Sequence, residues 1–194
     1  VVNPPAGPQG TYAITNAHIF PVSGPEILKG TVVISGGKIT AVGASVSVPS
    51  GAKGIDASGL SVYPGMMESS TQVGLAEINQ GAESTIDDAE VGNFNPNSQA
   101  FFGFNPHSAI IAVSRVVGIT QIVSAPTSGV VSGQAALMRM EGSTAPQMAI
   151  TPDIAMVVTL PGSGGRGRGG FGGGRGGNAG QAPTQQMDSL KALI

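Results

Sequence analysis

The sequence predicts an α/β protein whose first third is built from β-strands alone. Short β-branched segments, separated by turns that contain glycine and proline, fill residues 12–61. A strand, a helix and a second strand then follow one another between Val62 and Ala125, the order typical of a parallel βαβ unit. The chain has 194 residues, 40% of them hydrophobic, which suffices for one ordinary domain or two small ones.

The first segments are predicted to form a small sheet or a sandwich. Residues 1–11, rich in proline, should form an extended tail. The first strand is predicted over Tyr12–Val22. Ile27–Ile34 and Lys38–Val42 flank a Ser-Gly-Gly turn and should form a hairpin. Lys53–Ala57 adds a further short β segment.

The helix is predicted over Asn105–Val117. Asn105 can cap its start, and Gly118 can end it. Helical periodicity then places an apolar face toward a sheet, formed by Ile110, Val113 and Val117. Ile119–Ala125 follows as a buried, β-branched strand.

Two more strands and one long irregular segment are predicted before residue 161. Strands are predicted at Ala135–Met140 and at Ile154–Leu160, the latter apolar throughout, as in a barrel interior. Asn79–Phe104 is predicted to be a long surface loop. Its acidic residues do not have the spacing of an EF-hand calcium loop, so a solvated loop is the simpler interpretation; they are Glu83, Asp87, Asp88 and Glu90.

Residues 162–183 are rich in glycine and arginine and should be flexible, and residues 184–194 resemble the start of a helix. Three arginines and one phenylalanine make the glycine-rich stretch similar to RGG-type RNA-binding segments; they are Arg166, Arg168, Arg175 and Phe171. A flexible insertion or processed loop explains the same composition.

A specific resemblance covers Ile14 to Gly65. The chain reads ITNAHIF, then GTVVISGGKITAVG, then PSGAKGIDASGLSVYPG. This order resembles the opening of the amidohydrolase superfamily, metal-dependent hydrolases of the imidazolonepropionase and dihydroorotase kind. Gly133–Gly142, GQAALMRMEG, is similar to the second barrel strand and an adjoining segment of one branch. The resemblance implies a β-sandwich portion at 12–61 and about three βα units of a TIM-type (β/α)8 barrel at 62–161.

The resemblance also implies where a metal site should lie, and the residues there do not fit one. The family carries His-x-His shortly after the Pro-Gly step, on alternate positions of the first barrel strand. Here the matching residues are Ser70 and Gln72, and Glu68 precedes them. Hydroxyl and amide groups are poor ligands for the divalent metal, such as Zn²⁺, that the family implies. We therefore expect no catalytic or metal residue here, and we predict that Glu68, Ser70 and Gln72 line a pocket.

No other residues supply a recognisable catalytic set. His18 lies on the first predicted strand and His107 in the first turn of the helix. The sequence has no cysteine, no Gly-x-Ser-x-Gly elbow and no phosphate-binding loop ending in Lys-Ser/Thr.

A complete (β/α)8 barrel takes roughly 250 residues, so too few residues follow Pro64 to close one. The expected protein is the N-terminal part of an amidohydrolase-like hydrolase acting on non-peptide C–N bonds, with another chain or missing sequence completing the barrel. The alternative is a non-catalytic structural or binding subunit, and RNA binding is a third, remote interpretation. The net charge of −2 gives no argument for a nucleic-acid or membrane partner. The low charge suits an exported, periplasmic or extracellular protein.

Overall fold

A computed structural model describes residues 10–77, 86–88, 90 and 92–159. The protein is mixed α/β, with most of its regular structure in two sheets, and it divides into two compact units between Gly65 and Met66. No helix within the described ranges has the length and hydropathy needed to cross a membrane.

The unit before Met66 contains one five-stranded sheet. Its strands are β1 (Thr11–Ile19), β2 (Ile27–Ser35), β3 (Lys38–Gly43), β4 (Lys53–Asp56) and β5 (Ser61–Val62). The order is β3-β2-β1-β4, and β5 also pairs with β1. β2 runs antiparallel to β1 and β3, whereas β4 and β5 run parallel to β1. The sequence predicted either a small sheet or a sandwich, and the described residues of this unit form a single sheet.

The predicted hairpin is confirmed as β2–β3, joined at Gly36-Gly37, where both residues have positive φ. β1 ends at Ile19, earlier than predicted. One face of the sheet packs a small apolar cluster that contains Ala17, Ile19, Val32 and Ala57. The hydrophobic effect of burying these side chains holds the short strands together.

The second unit contains a four-stranded sheet in the order β6-β7-β8-β9. Its strands are β6 (Met66–Thr71), β7 (Ile119–Ser124), β8 (Val131–Arg139) and β9 (Ala149–Val158). β6 and β7 run parallel with the helix between them in sequence, as predicted for the βαβ unit. β8 then runs antiparallel to β7, and β9 runs antiparallel to β8. The described strands thus show one parallel pair, and the predicted series of about three βα units is not shown.

Within the described residues, three helices accompany this sheet: α1 (Ala100–Gly103), α2 (Ala109–Val116) and α3 (Ala145–Met148). α2 is shorter than the predicted helix because Ser108 caps it, its Oγ accepting from the Ile110 N–H at 3.3 Å. Asn105 instead forms a turn ahead of the helix, where its Oδ1 accepts from the His107 N–H at 2.9 Å. Gly118, at φ +91°, follows the helix end as expected.

The buried face of α2 differs from the predicted one. Ile111 is fully buried, whereas Val113 and Val117 are exposed. Ile111 packs with the residues that form the core of this unit. The other buried members are Leu75, Ala100, Phe104, Ile122, Ala136, Met138, Met140 and Met148.

The segment predicted as a surface loop is partly built into this core. Residues 78–85, 89 and 91 lie outside the described residues, but Phe104 and Ala100 are buried, and α1 ends the segment. A Cβ on Gly74 would lie 2.3 Å from the Phe104 ring, and Gly74 has φ +86°. Glycine is therefore required at 74 both for the backbone conformation and for the close approach of the ring.

β9 is more exposed than its apolar sequence predicted. Ile154 and Met156 are each 44% exposed, so the described strand is not buried on both faces. Leu160 lies outside the described residues, as do residues 1–9 of the predicted tail, the glycine- and arginine-rich segment 162–183 and the predicted helix start at 184–194.

Candidate functional site

A cavity of about 380 Å³ opens where the parallel strands β6 and β7 end. In α/β sheets this carboxyl-terminal edge of parallel strands is where ligands usually bind. The wall is formed by the end of β6, by the segment after β7 and by the end of β9. Its residues are Ser70, Thr71, Gln72, Ala125, Pro126, Thr127, Val157 and Thr159.

The backbone aligns the two strand ends. The Ala125 N–H donates to the Thr71 carbonyl oxygen at 2.9 Å, so the parallel ladder continues to the last residue of β6. The Ser124 hydroxyl is fully buried and donates to the Val73 carbonyl oxygen at 3.0 Å. These bonds fix the position of Gln72 relative to the segment that follows β7.

A hydrogen-bonded triangle joins Gln72, Asp88 and Thr127. The Gln72 Nε2 donates to Asp88 Oδ2 and also to Thr127 Oγ1, the latter at 3.0 Å. The Thr127 hydroxyl donates to Asp88 Oδ2 at 3.0 Å, and the Thr127 N–H donates to the Asp88 carbonyl oxygen at 2.8 Å. Asp88 is only 9% exposed, and these contacts provide the hydrogen bonds that a buried carboxylate requires.

Asp88 also borders a second cavity, of about 290 Å³. Its wall includes Asp87, Glu90 and the residues that lead into α1. The Glu90 Oε1 accepts from the Ser98 hydroxyl at 3.4 Å. Asp88 therefore stands between two cavities, with its carboxylate bonded to residues of the first.

The three residues predicted to line a pocket have different positions. Ser70 and Gln72 lie in the wall of the first cavity. Glu68 lies on β6 with an exposed side chain, and it is not among the lining residues.

Neither histidine lies in this wall. The His18 Nε2 is 3.0 Å from Glu26 Oε2, and its ring packs on Phe20 in the first unit. His107 is exposed in the turn before α2.

The side chains of Ser70 and Gln72 are poor ligands for a metal such as Zn²⁺. The Gln72 amide nitrogen points at Asp88 and Thr127, and an amide nitrogen has no lone pair to offer a cation. Ser70 presents a hydroxyl, a weak ligand beside imidazole or carboxylate. Among the described residues, no three histidine, aspartate or glutamate side chains are grouped closely enough to hold a metal ion.

Sequence reasoning missed Asp88 and Thr127 as partners of Gln72. Asp88 was assigned to a solvated loop, and Thr127 follows Pro126 in a segment without a motif. The two lie 16 and 55 residues from Gln72 along the chain, and no local pattern connects such positions.

The structure is similar to a crystal structure of an amidohydrolase from Thermotoga maritima. The TM-score is 0.72 at 22% sequence identity, over 93% of this chain and 42% of that one. The chain therefore shares its fold with that part of the similar structure. It spans about two fifths of that protein's length.

Two further solved structures overlap less. One is an uncharacterized protein, at 21% identity, and the other is a prolidase complexed with N-methylphosphonate-L-proline, at 19% identity. Each alignment has a TM-score of 0.40 and covers 58% of this chain and 25% of the other, which is too little to support a structural argument. No protein-family model matches the sequence. No curated protein matches it either.

Proposed function

We propose that the chain is the N-terminal part of an amidohydrolase-like hydrolase acting on C–N bonds other than peptide bonds. The observation that carries this proposal is the shared fold over 93% of the chain, which spans 42% of the similar amidohydrolase. The cavity at the ends of β6 and β7 supports it, since this is the edge where α/β proteins bind ligands.

The part of the hydrolase not contained in this chain is proposed to be a second polypeptide that carries the remaining barrel strands. β6 pairs only with β7 among the described strands, so its other edge is available for pairing. An unpaired edge strand with exposed apolar side chains is a template for strand addition, and Met66 and Met67 are both exposed.

In this proposal, the end of β6 contributes hydrogen-bonding groups to the ligand. Gln72 is held by Asp88 and Thr127, and Ser70 lines the same cavity. Hydrolysis then depends on reactive groups that the complementary part supplies, because the residues present at 70 and 72 do not fit the metal that the family implies.

Intact-mass measurement and peptide mapping of the purified assembly test the proposal. We expect a co-purifying polypeptide of barrel-completing size, and an assembly that contains stoichiometric metal and hydrolyses amide or cyclic-amide substrates. A stable lone chain with no complementary polypeptide would refute the split hydrolase.

The second candidate is a non-catalytic binding subunit with the same fold. The observation that favours it is the Gln72 amide, which is engaged with a buried carboxylate at the position where catalysis requires a metal ligand. Metal analysis separates the two. An assembly that includes the complementary polypeptide but lacks stoichiometric Zn, Mn, Ni or Fe supports the binding subunit.

One further property is proposed on the sequence alone. Low charge and abundant small polar residues support export to the periplasm or the medium, which cell fractionation tests. RNA binding through the arginine-glycine segment is kept only as the remote alternative. The absence of a salt-sensitive RNA affinity that is lost when residues 162–177 are deleted would end it.

A further inference from the structure

The directions of the hydrogen bonds around Gln72 determine what the cavity offers to a ligand. A glutamine amide has two donor hydrogens, and a threonine hydroxyl has one. The amide of Gln72 gives its hydrogens to Asp88 and Thr127, and the hydroxyl of Thr127 gives its hydrogen to Asp88. The Gln72 nitrogen and the Thr127 hydroxyl are thus both engaged as donors within the triangle. The Gln72 carbonyl oxygen, which can only accept, takes no part in the triangle.

The backbone N–H groups of the segment after β7, and that of Thr159, are also engaged. The Ala125 N–H donates to Thr71, and the Thr127 N–H donates to Asp88. Pro126 has no N–H, and the Thr159 N–H donates to Val130. The segment after β7 therefore presents no free backbone N–H to a ligand beside the Gln72 side chain.

The carboxylate of Asp88 is bonded to two residues of this wall, Gln72 and Thr127. Asp88 is 9% exposed, and its described contacts are to the neutral side chains of Gln72 and Thr127. Among the described residues the one ion pair joins His18 and Glu26 in the other unit. A buried carboxylate without a cationic neighbour attracts a positive group strongly, because little water screens it.

We infer that this cavity binds a positively charged amine, whose N–H groups donate to the Gln72 carbonyl oxygen. Asp88 acts as a positioning residue that fixes the amide orientation and supplies the attracting charge. This inference rests on the proposed function, since it names the ligand chemistry of the same cavity. Neutral amides would gain the hydrogen bond without the charge attraction, and carboxylates would meet acceptors and a negative charge.

NMR titration of the full chain, together with any co-purifying polypeptide, tests the inference. The probes are n-butylammonium, butyramide and butyrate at constant ionic strength, and the side-chain amide signals of Gln72 report on the site. We expect saturable shifts with butylammonium at a Kd about tenfold below that of butyramide, and none with butyrate.

Matched variants separate the specific role of Asp88 from general charge. Asp88→Asn should weaken butylammonium binding by about tenfold, because the amide can donate to Gln72 and turn its carbonyl away from the cavity. Glu90→Gln removes one negative charge from the same segment but contacts Ser98 instead of Gln72. We expect it to change the Kd by less than about twofold.

Gln72→Met keeps the length of the side chain and the Asp88 charge but removes the carbonyl oxygen, so it tests the site if Asp88→Asn fails to fold. It should also weaken butylammonium binding. Butyrate binding as tight as butylammonium binding, or equal losses in Asp88→Asn and Glu90→Gln, would overturn the inference. If a complementary polypeptide co-purifies but the cavity does not prefer butylammonium, the inference is wrong and the proposed function is unaffected. If the cavity prefers butylammonium but the chain is alone, only the proposed split hydrolase is refuted.

Discussion

At the scale of single residues, Asn16 and Asp56 show how one side chain can hold two strands. Asn16 lies at an irregularity of β1 with φ +60°, a conformation that asparagine adopts more readily than most residues. Its Nδ2 donates to Asp56 Oδ1 at 3.0 Å, and Ser58 donates to the same oxygen from its hydroxyl at 2.7 Å. The Asn16 bond first, and then the Ser58 bonds, lower the pKa of Asp56 below its ordinary value of 3.8.

We predict that Asn16→Gly raises the pKa of Asp56 toward 3.8, because glycine keeps the positive φ but removes the donor. A lowered folded-state pKa stabilises the fold above the unfolded-state value and is lost as pH falls through the folded-state value. The variant should therefore lose stability at neutral pH and approach the wild type in strong acid. NMR titration of Asp56 and urea unfolding at both pH values measure this. An unchanged Asp56 pKa would contradict the assigned cause.

The candidate site shows how far residue-level reasoning from the sequence extends. Ser70 and Gln72 could be selected because the resemblance places them where the family carries His-x-His, and both lie in the cavity wall. Asp88 and Thr127 could not be selected, because they reach Gln72 only through pairing of β6 with β7 and the folding back of a segment between them. Their chemistry depends on tertiary contacts that no local spacing encodes.

At the scale of elements, α2 shows why a helix can be predicted while its face is not. Successive residues are turned by about 100°, so an error of one position in the apolar pattern selects a different face. The sequence favoured Ile110, yet Ile111 is the buried residue. Asn105 and Ser108 are both good capping residues, and the sequence alone does not decide which one begins the helix.

We predict that Ile111→Ala lowers the free energy of unfolding by about 2–5 kcal/mol, since it leaves a cavity in the core of the second unit. Val116→Ala is the matched control on the same helix. Val116 is 88% exposed, so its truncation should cost less than about 0.5 kcal/mol. Chemical denaturation measures both. Similar losses for the two variants would mean that α2 packs by another face.

The direction of β8 has a physical signal in the sequence. Only residues 125–130 separate β7 from β8. A parallel connection requires a crossover of about a dozen residues or more, so this short segment can join only antiparallel neighbours. Strand composition identified β8 as a strand, and the length of the connection determines how it pairs.

At the scale of the whole molecule, two exposed features would give the proposed complementary polypeptide a place to bind. β6 has an unpaired edge among the described strands, and the exposed stripe of α2 is apolar at Val113, Val116 and Val117. Exposed apolar surface of this kind is costly in water unless a partner covers it. A strand that extends the sheet at β6 and a helix packed on the α2 stripe would together cover both features.

We predict that Val113→Glu on this stripe weakens the assembly by about tenfold or more, because it would bury an unpaired charge in the interface. Leu28→Glu, at an exposed apolar position of the first unit, is the control and should leave assembly unchanged. The affinity between separately purified parts is measured for both variants. Hydrogen exchange then identifies which strand of this chain the partner covers. The β6 amides that do not bond to β7 should exchange rapidly in the lone chain and become protected in the assembly. Protection confined to β9, with Val113→Glu assembling normally, would place the partner on the opposite edge of the sheet and contradict the prediction.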